Sequence, residues 1–301
     1  MNRTTILKLI RWAGTLLGTA LFVWLLARQD WAQVWGGVRG IPAWVLVFAL
    51  LLYAFGMVCN GWRWWVLVRA QKITFPFFGA VKIVFTGAFL SNFLPSTIGG
   101  DGYRVLALLR YASSKTTSAT SVAVDRALNV LTMASVLPFS WWTFGNLSAV
   151  LHNLASGSGA GLIGLVSQFE RGKTRFFDSF RRWGRDPVSL AYAFAVSWLS
   201  VLVIFFAILQ LALALGIQVS LREVMGINAL VYLLTLLPVS VNGYGVREVV
   251  FTGLYVQVGA TVEQATTLAL LTRLMTMLVT LPGAFWLSHT FSTSQTNAHS
   301  S

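Results

Sequence analysis

Two apolar segments of this chain are interrupted in the same way, and that interruption restricts the fold more than any other feature. The first reads Leu94-Pro95-Ser96-Thr97-Ile98-Gly99-Gly100-Asp101-Gly102-Tyr103-Arg104. The second, 143 residues later, reads Leu237-Pro238-Val239-Ser240-Val241-Asn242-Gly243-Tyr244-Gly245-Val246-Arg247. Leu, Pro, Gly, Gly and Arg coincide at five of the eleven positions. Proline removes a backbone donor and glycine tolerates angles that other residues avoid, so each stretch predicts a broken helix. In a bilayer the freed backbone groups need partners, which confines such breaks to protein-buried or water-lined places. Matching broken segments in two half-chains point to a transporter's binding site. A pair of simple packing kinks would need neither the Asp nor the two Arg.

The surrounding sequence suits a membrane. Of 301 residues, 56% are hydrophobic and only 10% charged, too few charges to cover a water-soluble surface of this size. Six or more stretches approach the roughly 20 apolar residues a helix needs to cross a bilayer. The net charge of +13 sits mostly in short segments between apolar runs, the arrangement that fixes orientation with positive loops inside. It therefore indicates contact with anionic lipid and excludes a nucleic-acid partner. One cysteine, Cys59, and three scattered histidines offer neither a disulfide nor metal-ligand spacing, so no metal and no cofactor are expected. Arg28-Gln29-Asp30 follows the first apolar run in place of a small-residue cleavage site, so that run reads as an uncleaved span.

Taken in order, spans are expected at about 6–27 and 42–65, the second closing in the aromatic belt Trp62-Arg63-Trp64-Trp65 with Arg63 snorkelling. Residues 28–41 form a short interfacial segment. Residues 76–112 read as a re-entrant hairpin whose returning half-helix occupies about 103–112. Spans follow at 118–144, 146–168 and 188–214. A basic, Phe-rich cytoplasmic helix at about 169–186 lies on anionic headgroups between them. The second hairpin enters over 224–238 and leaves over 246–258, and a last span covers 263–287. The expected fold is all-α: one polytopic membrane helical bundle over 1–301 with two re-entrant broken-helix motifs. Its repeat halves, about 42–145 and 188–288, form an inverted repeat if 146–168 crosses, because three crossings then separate the hairpins.

Charges within such segments are expensive, roughly 2.5–3.5 kcal/mol for a central one, and usually pair or face a cavity. Asp101, Arg104, Asp125, Arg126, Arg247, Glu248 and Arg273 are in this position. Asp101 and Arg104 are spaced to pair along one helical turn. Asp125 and Arg126 are adjacent and point apart, so each needs a partner elsewhere, and the same applies to Arg247 and Glu248. Arg104 and Arg247 end the two motifs, where exposed amides at a half-helix start and a guanidinium can converge on one anion such as a phosphate. The expected headgroup-binding set is Arg104, Arg247, Gly100, Gly102, Gly243 and Gly245, supported by Asp101, Asp125, Arg126, Glu248 and Arg273. Lys82, on the entering arm of the first hairpin, is a further candidate for lining the cavity. No catalytic residue is assigned: no Ser–His, Cys–His or Walker-type constellation is present, and each candidate Asp has an arginine that keeps it ionised.

Leu94, Pro95, Gly99, Gly100, Asp101, Arg104, Asp125 and Arg126, then Pro238, Gly243, Gly245, Arg247 and Glu248, form a pattern that resembles a flippase-like family. That family is named after the lysylphosphatidylglycerol synthase transmembrane region. The resemblance covers nearly the whole chain. It implies a bacterial cytoplasmic (inner) membrane protein that moves an anionic or phosphate-bearing lipid between leaflets: a phospholipid, a glycolipid or a polyprenyl-linked one. In the multiple-peptide-resistance factor, a similar region is joined to a soluble aminoacyl-transferase. Here 13 residues follow Ser288, so making lysyl-lipid is not expected of this chain. Two alternatives stand beside transport: a membrane-embedded transferase acting on a polyprenyl-phosphate or glycolipid, and an accessory subunit of a lipid-modifying enzyme partner. The oligomeric state is open.

Overall fold

The computed structural model describes residues 31–93, 97–112, 115–144, 186–235 and 246–287. Every element among them is helical. They are α1 (Trp31–Gly40), α2 (Ala43–Ala70), α3 (Phe77–Phe93), α4 (Thr97–Leu108), α5 (Lys115–Val136), α6 (Pro138–Phe144), α7 (Pro187–Ala214), α8 (Leu221–Thr235), α9 (Val246–Gln257) and α10 (Val262–Thr280). The first span, the weak span at 146–168, nearly all of the basic segment and the second motif through Gly245 lie outside the described residues.

Four helical stretches are long and apolar enough to cross a membrane: Ala43–Ala70, Lys115–Trp141, Pro187–Ala214 and Val262–Leu287. Large side chains such as Trp44, Leu51, Phe55 and Leu199 are exposed on them, as expected for helices whose outer solvent is lipid. The shorter α3, α4, α8 and α9 have 17, 12, 15 and 12 residues, each below the length of a full crossing. Among them α3 packs on α4 and α8 on α9.

Local signals set the helix ends. Asp186 caps α7 by accepting from the Ser189 amide and hydroxyl at 3.1 and 2.6 Å, with Pro187 in the first turn. Those bonds hold the Asp186 carboxyl below its usual range. Ser220 and Glu223 form a capping box at α8, and Thr261 with Gln264 forms another at α10. Gly259 ends α9 at φ 97°, a left-handed conformation that favours glycine.

Two compact units divide the chain. One comprises Met1–Ala49, Asn129–Asp178 and Ile204–Arg273, and the other Leu50–Leu128, Ser179–Val203 and Leu274–Ser301. In the second unit, Trp64, Val68, Phe75, Ile83, Val84, Leu108 and Val122 bind α2, α3, α4 and α5 into one core.

Two of the long helices break in the same way at a proline. Leu137 donates to the Ala134 carbonyl and Ser140 to Leu137, before and after Pro138; Leu281 donates to Leu278 and Ala284 to Leu281, around Pro282. Each proline lacks the donor that would continue the helix, so the chain tightens through three-residue bonds. The expected single segment at 118–144 is thus two helices, α5 and α6, with a turn at Leu137. Each post-proline piece is tied to a hairpin arm within its own unit. Ser140 donates to the Gly226 carbonyl on α8 at 2.9 Å, and Thr86 on α3 donates to Gly283 at 3.3 Å.

Backbones meet at both ties. A Cβ at Gly226 would lie 2.8 Å from Ser140 Cα and 2.9 Å from the Phe139 carbonyl. Gly226→Ala should therefore push α8 off α6, and because backbone cannot swing aside the loss should be about 1–3 kcal/mol. Thermal unfolding in detergent measures it; a variant as stable as the parent would show that the contact yields freely.

Candidate functional site

The glycine motif is more helical than its sequence suggests. The expected returning half-helix at 103–112 begins instead at Thr97 and ends at Leu108. Gly99, Gly100 and Gly102 lie within it, and among the described glycines only Gly216 and Gly259 have positive φ. Gly100 serves close approach. A Cβ there would collide with the Gly87 carbonyl and Ser91 Oγ on α3. Gly102 faces open space, with nothing within 4 Å.

That close crossing brings Arg104 against the core. Its guanidinium lies 4.7 Å from the Trp64 ring and donates through Nη2 to Asp125 Oδ2 at 2.7 Å. The other Asp125 oxygen accepts from Arg63 Nε, also at 2.7 Å, and Arg63 Nη1 donates to Ser197 Oγ at 2.9 Å. Arg63, Arg104 and Asp125 are all buried. Asp125 is ten residues into α5, or about 15 Å along its axis, well inside a crossing helix. Arg63 is therefore not the snorkelling arginine of an aromatic belt. α2 runs on to Ala70, which sets Arg63 about 10 Å back from its end and facing a carboxylate.

Asp101 and Arg126 form the outer layer of the same cluster. Arg126 grips Asp101 with two bonds, Nε to Oδ2 at 2.9 Å and Nη2 to Oδ1 at 3.0 Å. Arg104 Nη1 stands 3.7 Å from Asp101, so the expected turn-spaced pair exists but is the weaker of Asp101's contacts. As the sequence required, Asp125 and Arg126 take partners outside α5, though both reach one turn of α4, at Arg104 and Asp101. Among these five residues, three arginines (63, 104, 126) against two aspartates (101, 125) carry a formal charge of +1.

The first unit holds a looser counterpart. Glu248, buried on α9, is approached by Arg247 Nη1 at 3.9 Å and by Arg273 Nε from α10 at 4.0 Å. The Arg247 guanidinium lies 5.7 Å from the Phe251 ring. The adjacent Arg247 and Glu248 come within 3.9 Å of each other rather than diverging fully, while Glu248 also meets Arg273 on α10, the partner elsewhere that the sequence required. Gly243 and Gly245 lie outside the described residues. Lys82 Nζ lies 6.0 Å from the Trp286 ring.

Arg63 and Ser197 are site residues that sequence reasoning missed. The available signal was Arg63 itself, a charge set in an apolar run. Among the described residues, no group of three or more His, Cys, Asp or Glu is placed to hold a metal.

A family model described as the lysylphosphatidylglycerol synthase TM region matches residues 11–283. No curated protein matches the chain at a significant level.

Proposed function

We propose, since this chain belongs to the lysylphosphatidylglycerol synthase TM region family, that it moves a lipid with an anionic or phosphate-bearing headgroup between leaflets. The observation that carries this reading is a net-positive cluster of buried arginines within helices long and apolar enough to cross a membrane. An excess guanidinium in a low-dielectric place favours an anion, and arginine holds a phosphate with parallel bonds. The two motifs would act as halves of an inverted repeat that exposes the headgroup alternately.

A transferase reading asks Asp101 or Asp125 to act as a base, yet the oxygens of each are already engaged by arginine hydrogen bonds. Transport asks only that an anion be held and released. The bacterial inner membrane, with the basic 169–186 segment inside, completes the proposal, and a lipid-modifying enzyme is the partner that would supply the cargo.

Leaflet accessibility in proteoliposomes tests it, using fluorescent phosphatidylglycerol and a membrane-impermeant quencher. Transfer without any covalent product is expected. Arg247→Gln should slow it tenfold to a hundredfold, the equivalent of one charge-assisted hydrogen bond of about 1.5–3 kcal/mol. Arg247→Lys should recover part of the rate, because a point charge lacks the planar fork. Transfer no faster than in empty vesicles, across phosphatidylglycerol, phosphatidic acid and a polyprenyl phosphate, would overturn the reading.

A further inference from the structure

We infer that Asp101 is a built-in stand-in for the phosphate: its carboxylate holds the place between Arg126 and Arg104 that an anionic headgroup takes when it binds. The inference rests on the anionic-lipid reading above and names the entry point of that site. Asp101 is the more accessible of the cluster's two acids, its side chain 29% exposed against 4% for Asp125. Arg126, at 49%, is the most exposed of the arginines. The inner pair, by contrast, is shielded. Asp125 is fixed from both sides at 2.7 Å and forms a permanent anchor.

The two-bond fork from Arg126 to Asp101 is the geometry by which arginine grips a phosphate. Behind Asp101, Arg104 Nη1 comes no nearer than 3.7 Å, too far for a hydrogen bond. A phosphate, with one more acceptor oxygen on a larger frame than a carboxylate, can keep the Arg126 fork and reach Nη1 as well. One helix turn supplies both the stand-in and the inner arginine, Asp101 and Arg104, while Arg126 comes from α5. Gly102, between them and facing open space, leaves the backbone uncovered on that turn. Exchange of one anion for another also keeps the intramembrane charge nearly constant, so the arginines are never left alone in lipid.

A stand-in gives an unusual expectation: removing it should improve binding. Asp101→Asn keeps the side chain's shape and raises the cluster from +1 to +2. In phosphatidylcholine nanodiscs doped with phosphatidylglycerol, lipid retention scored by native mass spectrometry should tighten about tenfold. Asp101→Asn/Arg126→Gln returns the charge to +1. If net charge alone drove the gain, that double variant would match the parent; loss of the fork should take it below the parent. In the unmodified protein, phenylglyoxal labelling of Arg126 should fall as the phosphatidylglycerol share rises, which keeps the idea testable should Asp101→Asn fail to fold. Weaker or unchanged retention in folded Asp101→Asn, or labelling of Arg126 indifferent to phosphatidylglycerol, would overturn the inference. Binding is read here without transport. A parent that transports while Asp101→Asn gains nothing would sink the stand-in alone; tighter binding without any transfer would sink the transport reading alone.

Discussion

Asp125→Ala should be the most damaging single change in the second unit, lowering stability by about 3–5 kcal/mol. The carboxylate accepts one 2.7 Å bond from Arg63 and one from Arg104, and neither arginine has solvent to turn to. Removing it leaves two buried guanidinium groups repelling one another inside a membrane-crossing segment. Asp125→Asn should fall between the parent and the alanine variant, since it keeps an acceptor but not the charge. Arg63→Met should be milder than Asp125→Ala, because Asp125 then still has Arg104. Unfolding in a mild detergent, followed by tryptophan fluorescence, gives the order. An alanine variant as stable as the parent would mean that the cluster is not the buried anchor described here.

The second large effect concerns two glycines only two positions apart. Gly100→Leu should abolish transfer and separate α3 from α4, because the new side chain is directed at the Gly87 carbonyl. Even Gly100→Ala should lose about 1–3 kcal/mol through overpacking against backbone. Gly102→Ala has nothing to displace and restricts the unfolded helix, so it should gain about 0.5–1 kcal/mol. The sign of the change therefore reverses within one turn. Equal effects of alanine at both positions would show that the crossing of α3 and α4 is not set by Gly100.

The long helices and the hairpin arms were legible because apolar length and the proline–glycine interruptions are local properties. The list of intramembrane charges was legible too, since a charge in an apolar run stands out wherever it folds. Their partners were not. Arg63 and Asp125 are 62 residues apart, and no local rule links them. Closing α2 at Trp65 turned Arg63 into a belt residue, whereas the apolar Val66-Leu67-Val68 carries the helix on to Ala70. The glycine motif was misread for a related reason. Glycine signals either an unusual backbone angle or a missing Cβ, and sequence does not distinguish them. At Gly100 it is the missing Cβ, so the helix continues through the motif. Pro138 and Pro282 carried a signal as plain as Pro95, but inside long apolar runs it was outweighed by length.

The pairing of Arg63 with Asp125 also orders events during synthesis. The arginine is translated first, and at roughly 5–20 residues per second the aspartate 62 positions later follows after roughly 3–12 s. Through that interval α2 must enter the bilayer with an unneutralised guanidinium, held there only by the apolar residues on either side. Its 28-residue length, well beyond the minimum for a crossing, supplies that hold. α2 is thus a helix admitted on its hydrophobicity and locked only when α5 arrives.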